Sequence, residues 1–285
     1  MPRPLTLIII DGWGIGRDDQ LNPLAVAKPK TLDFIRDHYA SGSLQASGIA
    51  VGLPWGEESN SEVGHLTLGA GRVVYQHYLR IMNAIKDGSF AGNKVFLDAV
   101  THAKKTGGAV HCVGLLGEGM VHSSFDHLKA LIDVINAKGA PLRLHVFADG
   151  KDSAPRSFLK LVEKLPLQPA SISGRHFAMD RDGYWDRIER AYRAMRGEAP
   201  HVDDLSAYVR SRYAENLSDE FLAPVVLDKE GAIKDGDAII FFNFREDSMR
   251  QMVRSFVDRE FHEFSAAPLN NVYIATMTQY AKEFG

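Results

Sequence analysis

The chain has 285 residues, of which 45% are hydrophobic and 24% charged, with a formal net charge of -3. That is the make-up of a soluble globular protein of one large or two ordinary domains, and it excludes a general attraction to nucleic acid or anionic membrane, so any basic site must be local. Cys112 is the sole cysteine, so no intrachain disulfide can form, as suits a reducing cytoplasm.

Met1-Pro2-Arg3-Pro4 runs straight into an apolar stretch over residues 5–10. It is too short to span a bilayer and no small-residue cleavage site follows, so neither a spanning helix nor a signal peptide is expected. The stretch reads as a buried strand that stops abruptly at Asp11-Gly12. A helical pattern covers 31–39. Next comes Asn60-Ser61-Glu62-Val63-Gly64-His65, a serine on a polar loop leading into Leu66-Thr67-Leu68-Gly69-Ala70-Gly71. A glycine-rich segment near 71–76 then gives way to a helix from about His77, and a domain change is expected there.

Beyond that point short apolar runs alternate with helical patterns. Strands are predicted over 109–115, 143–147, 170–173, 238–242 and 272–277. Helices are predicted over 91–105, 124–137, 155–165, 184–196, 203–214 and 247–256, with Ser124 and Asp247 as N-caps. The strands are almost continuously apolar, as strands covered on both faces are. The polar stretch 228–236 reads as a hairpin or excursion. The alternation implies an α/β architecture with a largely parallel sheet. After 272–277 the pattern begins something and stops, and the first strand has no obvious sheet partner, so the chain reads as incomplete.

In open α/β sheets ligands bind beyond the carboxyl ends of the strands. The first strand ends in Asp11, and 109–115 leads to His122. The 143–147 strand leads to Asp149-Gly150-Lys151-Asp152, and 170–173 leads to Arg175 with Arg181 in the same loop. The 238–242 strand leads to Asn243-Phe244-Arg245. Converging cations suit a phosphate or carboxylate, because a guanidinium meets such groups with two parallel hydrogen bonds. A carboxylate at a strand end with a serine on a turn suits metal-assisted phosphoryl transfer. Each residue alone has a plainer reading. Asp11-Gly12 can be a turn, and Asn60-Ser61 a helix cap. His122, Asp126 and His127 can be a metal site, or a cap, a surface pair and a core histidine. Arg175, Arg181 and Arg245 can be surface ion pairs. Arg187, Glu189 and Arg190 read as a solvated helix face, and Phe241, Phe242 and Phe244 as core. Several charges at one topological position favour a site.

In chain order, Asp11-Gly12-Trp13-Gly14, Asn60 to His65, Gly69 to Gln76, Val121-His122-Ser123, Asp149 to Ser157, Gly174 to Asp182 and Phe242-Asn243-Phe244-Arg245 closely resemble the cofactor-independent phosphoglycerate mutases of the alkaline phosphatase superfamily. The resemblance covers essentially the whole chain. It implies interconversion of 3-phosphoglycerate and 2-phosphoglycerate in glycolysis and gluconeogenesis through a phosphoserine intermediate, with two divalent metals, typically manganese. It also implies a monomer when full length. Residues 1–75 would be the N-terminal segment of a split phosphatase domain, and 76–285 an inserted phosphotransferase domain. Ser61 would be the nucleophile, with Asp11 and Ser61 ligands of one metal. His122, Lys151, Asp152, Arg175, Arg181 and Arg245 would bind substrate, Asp152 also serving as acid/base.

Three departures stand out. The family usually has arginine where this chain has Lys151, and a second arginine where it has Ser248. The chain is also only somewhat over half the family's usual length, so the phosphatase half that carries most metal ligands and a substrate lysine would be absent. Turnover by these residues alone is therefore not expected. The departures leave open a phosphatase or mutase acting on another small phosphorylated molecule, or a non-catalytic module that binds a phosphorylated ligand.

Overall fold

The computed structural model describes residues 4–284; Met1-Pro2-Arg3, read above as leading into a strand, and Gly285 lie outside the described residues. The chain divides into two compact units, Met1–Leu79 and Arg80–Gly285.

The first unit carries helices α1 (Pro23–Ala27), α2 (Lys30–His38) and α3 (Ser61–Ala70) and, among the described residues, no strand. The stretch 5–10 does not form the expected buried strand: Leu5 is 95%, Leu7 74% and Ile8 78% exposed. A strand is held by a neighbour's N–H and C=O groups, and no partner strand for this stretch exists among the described residues. The polar segment, read as a loop or as a helix cap, is the capped start of a helix. The Asn60 side chain accepts from the Val63 N–H at 3.0 Å, and Gly71 in the left-handed region (φ 63°) ends α3. Capping thus outweighs the low apolar content of the first turn. The unit's buried apolar cluster is small: Val51, Leu53 and Val63.

Helix α4 (His77–Asp87) begins where the sequence places a helix start. The second unit is built on six strands: β1 (Val110–Leu116), β2 (Leu142–Ala148), β3 (Ser171–Gly174), β4 (Val225–Val226), β5 (Ala238–Phe241) and β6 (Tyr273–Thr276). Their order is β4-β3-β2-β1-β5-β6. All pairs are parallel except β3 with β4. The two-residue β4 carries too little pattern to be read from sequence.

Burial on both faces explains why the strands are largely apolar. Cys112, Leu144, Val146, Ile240 and Phe242 face one core, and Val113, Leu115, Phe147, Ile239 and Phe241 the other. Helices α5 (Lys94–Thr106), α6 (Phe125–Ala137), α7 (Phe158–Val162) and α10 (Leu205–Ala214) contribute to the first core, and α9 (Trp185–Met195) and α11 (Arg250–Val257) to the second. The short helix α8 (Arg175–Ala178) follows β3 directly. In α5 the buried residues are Phe96, Ala99, Val100 and Ala103, spaced as one helical face. Asn93 caps it through the Val95 N–H, and Gly107 ends it. The expected helix over 155–165 shrinks to α7. Asp219 on a distant loop accepts from the Ser157 and Phe158 N–H groups at 2.8 and 3.0 Å, so the start of α7 is fixed by a residue that local sequence cannot reveal. The helix expected from an Asp247 cap begins only at Arg250, because the Asp247 carboxylate is engaged by two arginines. The 228–236 stretch is an excursion with a single 3-10 turn, Lys229–Gly231.

One buried polar chain crosses the sheet. The Asp237 carboxylate lies 3.0 Å from His111 Nε2, His111 Nδ1 lies 2.9 Å from His145 Nε2, and His145 Nδ1 lies 2.8 Å from Ser171 Oγ. A carboxylate only accepts, so His111 donates from Nε2 and accepts at Nδ1 from His145, which in turn accepts from the Ser171 hydroxyl. Both rings are then neutral. Burial lowers both histidine pKa values, and for His145 the neighbouring His111 adds to the effect. Burial also lowers His127, to about 4.

The unfolded chain takes up these protons near 6.5 while the folded chain refuses them. The histidine contribution to stability is therefore complete above that pH and lost as the pH falls below it. In urea denaturation the midpoint is expected to drop between about pH 7 and about pH 5, and His145→Gln should flatten that dependence. An unchanged midpoint across this interval would contradict the neutral assignment.

Candidate anion-binding site

The strand order reverses between β1 and β5, so connections leave the sheet in opposite directions there and open a crevice beyond the strands' carboxyl ends. Four loops meet at it. The loop after β1 is tied to the loop after β5. Asn243 Oδ1 accepts from the Leu115 N–H at 2.9 Å, and the Phe244 N–H donates to the His122 carbonyl at 2.8 Å. The loops after β2 and β3 are pressed together by the segment at 219–221. A Cβ added to Gly174 would lie 2.2 Å from the Glu220 carbonyl oxygen, and one added to Gly150 would lie 2.9 Å from the Glu220 nitrogen. Only glycine allows these approaches.

A cavity of about 320 Å³ results, lined by His122, Lys151, Arg175, Arg181, Arg245 and Ser248, among others. Five of the six residues read from sequence as substrate contacts thus line one cavity. The sixth, Asp152, is bonded to His122, whose Nδ1 stands 2.6 Å from Asp152 Oδ2. The same nitrogen lies 3.4 Å from Arg175 Nη2. One ring nitrogen cannot donate and accept at once, and the short approach to a carboxylate decides that Nδ1–H donates to Asp152. Burial pushes the Asp152 carboxyl up, but the bond from His122 and the Arg175 charge outweigh it and hold it below the usual carboxylate range. Asp152 is therefore ionised at neutral pH.

Arg175 is the most enclosed cation of the site. Its Nη1 donates to Asp149 Oδ1 at 2.5 Å and lies 3.0 Å from Asp152 Oδ1. Asp149 Oδ1 also accepts the Lys151 and Asp152 N–H groups at 3.2 and 3.1 Å, so one buried carboxylate sets both the guanidinium and the turn that presents Asp152. Lys151 is held loosely, 3.9 Å from Glu220. Arg181 and Arg245 share Asp247: Arg181 Nη1 donates to Oδ2 at 2.5 Å, and Arg245 donates from Nε to Oδ1 at 3.0 Å and from Nη2 to Oδ2 at 3.1 Å.

Several lining residues were assigned no role from the sequence: His176, Asp180 and Asp182, which lie within a family-like motif, and Glu220, which does not. Arg187, read as part of a solvated helix face, also lines the cavity. It pairs with Asp180 at 3.0 Å and stacks 4.1 Å over the Tyr184 ring. Its position on the first turn of α9, nearest the β3 loop, is what distinguishes it from Glu189, which pairs with Arg193. The arginines read as possible surface ion pairs are ion-paired and line the cavity as well.

In the first unit the Ser61 hydroxyl donates to Asp11 Oδ2 at 2.6 Å, and both residues are exposed. Two oxygen donors of this type fit a hard divalent cation, but such ions take about six ligands. Among the described residues no three His, Cys, Asp or Glu side chains gather into a metal set. The metal reading of His122, Asp126 and His127 therefore fails; His127 is buried and meets the Phe244 ring edge-on at 5.5 Å. Among the described residues no helix is long and apolar enough to cross a membrane.

A doubly covered, mostly parallel sheet with cations gathered at its switch point defines an α/β domain with a candidate anion site at one sheet edge. Known proteins sharpen that class. The family described as BPG-independent PGAM N-terminus matches residues 81–282. The 2,3-bisphosphoglycerate-independent phosphoglycerate mutase of Clostridioides difficile (strain 630) is 41% identical over 98% of this chain and 57% of its own length. That of Shewanella sp. (strain ANA-3) is 43% identical over 99% of this chain and 58% of its own. A crystal structure of Leishmania mexicana phosphoglycerate mutase at low cobalt concentration superposes with a TM-score of 0.75 at 31% identity, covering 97% of this chain and 55% of the other. The chain belongs to the cofactor-independent phosphoglycerate mutase family. It corresponds to the N-terminal portion and spans somewhat over half the length of these relatives.

Gly174→Ala is expected to cost about 1–3 kcal/mol of stability, because the added methyl meets backbone that cannot turn aside. Urea denaturation measures it. Gly139→Ala, a site with open space around a Cβ but a positive φ of 67°, isolates the purely conformational cost for comparison.

Proposed function

We propose that this chain supplies the substrate-holding part, and the nucleophile, of a 3-phosphoglycerate/2-phosphoglycerate mutase. The observation that carries the reading is the set of His122, Lys151, Arg175, Arg181 and Arg245 around one cavity, with ionised Asp152 bonded to His122. Its volume of about 320 Å³ suits a small polyanion. Residues 1–75 then form the N-terminal segment of a split phosphatase domain, and 76–285 the phosphotransferase domain. The reaction belongs to glycolysis and gluconeogenesis in the cytoplasm, and the full-length protein works as a monomer.

In this reading Ser61 Oγ enters as its alkoxide, its proton released to solvent, and bonds to phosphorus as the bond to the glycerate oxygen breaks. The arginines keep the glycerate carboxylate while the molecule turns, which holds the second hydroxyl ready and denies water the phosphoserine. Ionised Asp152 carries the proton of that hydroxyl to the oxygen the phosphate has left, the freed oxygen attacks phosphorus, and Ser61 departs as the alkoxide it entered as. Asp11 and Ser61 would hold one manganese ion, which when bound would supply charge neutralisation and a lower hydroxyl pKa. Two oxygens fall short of the roughly six ligands such an ion takes, so further ligands would be required.

Calorimetry with 3-phosphoglycerate is expected to show binding to the second unit's cavity. Arg175→Ala should weaken it by about 1.5–3 kcal/mol through removal of a charge-assisted hydrogen bond. An enolase-coupled assay with manganese should register no turnover from these residues alone. Turnover would remove the claim that further ligands are required, and an absence of binding would remove the substrate assignment.

A further inference from the structure

Arg181 and Arg245 come from different loops, one after β3 and one after β5, yet one carboxylate joins them. Asp247 Oδ2 accepts from both guanidiniums, from Arg181 Nη1 at 2.5 Å and from Arg245 Nη2 at 3.1 Å, and its Oδ1 accepts from Arg245 Nε at 3.0 Å. Its backbone neighbourhood fixes it further, since the Ser248 N–H donates to the same Oδ1 at 2.8 Å. The pair and its carboxylate sum to one positive charge. Arg175, by contrast, faces two carboxylates, Asp149 and Asp152.

The exposure of this trio, 51% for Arg181, 42% for Arg245 and 30% for Asp247, makes it a poor stabiliser of the fold. Two guanidiniums left without a carboxylate between them would repel and separate, and their long side chains have the freedom to do so. A carboxylate that bonds only part of each five-donor fork leaves the remaining N–H groups for a ligand. We propose that Asp247 is a positioning residue that makes Arg181 and Arg245 a single preorganised anion receptor. That role rests on the reading of this cavity as an anion site. Asp247 does not itself touch the ligand. Its carboxyl is pushed up by burial but held below the usual range by the bonds and charge of Arg245, with Arg181 adding to the effect, so it remains a carboxylate at neutral pH.

The alternative is that Asp247 merely occupies the place an incoming anion would take. The two roles predict opposite signs. Calorimetric titration of the 285-residue chain with inorganic phosphate, and separately with 3-phosphoglycerate, distinguishes them. If Asp247 positions the arginines, Asp247→Asn weakens anion binding by about ten-fold, as removal of one charge-assisted hydrogen bond to the ligand would. Asp247→Glu, which keeps the charge, recovers part of it. Arg181→Ala and Asp247→Asn together cost less than the sum of their separate effects, because the carboxylate acts through the arginine. Unchanged or tighter binding by Asp247→Asn overturns the proposal, as do additive effects in the double variant. Should the chain bind phosphate but not 3-phosphoglycerate, the proposed function fails while the phosphate titrations still decide the role of Asp247. Binding of neither anion to the unsubstituted chain overturns both.

Discussion

The parallel ladder joining β2, β1 and β5 governs everything built on it. Parallel pairing puts the carboxyl ends of neighbouring strands on one edge, and the reversal of order beside β1 keeps the loops of both directions from covering that edge. His122, Asp152, Arg175 and Arg245 are far apart in sequence and meet for this reason. The cost of the arrangement is that both sheet faces must be covered. The two apolar cores on either side of Cys112–Val113 and Ile239–Ile240 meet it with helices whose buried residues recur every three or four positions.

Carboxylates organise the cations at that edge. Asp149 collects two backbone N–H groups and the Arg175 guanidinium on one oxygen, while its second, buried oxygen has no hydrogen-bond partner among the described residues. Asp219 caps α7 and accepts from the Tyr213 hydroxyl, and its neighbour Glu220 reaches Lys151. A chain with a net charge of -3 can present a cationic cavity because these acids sit behind or beside the cations they hold.

Much of this was legible in the sequence, for identifiable reasons. Strands β1, β2 and β5 announce themselves because burial on both faces makes most of their residues apolar. The site residues are visible because strand ends are where polar side chains resume. What the sequence hides is non-local. The start of α7 depends on Asp219, sixty residues on. Arg187 looks like its solvent-facing helix neighbours until the β3 loop is placed beside it. Asp247, at a natural cap position, serves two arginines instead. The stretch 5–10 has every local property of a buried strand and is exposed, because strand formation needs a partner that local pattern does not supply. Ser61 and its neighbours read as a loop or as a helix start, and the Asn60 cap decides for α3.

The cavity is an ion-paired structure, and that bears on how the proposed anion would be selected. Arg175, Arg181, Arg187 and Arg245 each have a carboxylate within 3.0 Å, while Lys151 stands 3.9 Å from its own. An entering anion is therefore not captured by bare charge. It gains only where its oxygens reach donors the internal acids leave unused, and it loses wherever it forces an acid to give up a bond. A guanidinium tolerates this sharing because it has five donors fixed in a plane; an ammonium on a flexible stem does not offer the same fixed geometry. Lys151, loosely paired and largely exposed, is the cation most readily redirected to a ligand, whereas Arg175, enclosed by two acids, acts as a fixed wall. Affinity at such a site measures geometric fit between two sets of acids, the protein's and the ligand's, and the fold's part is to hold the first set still.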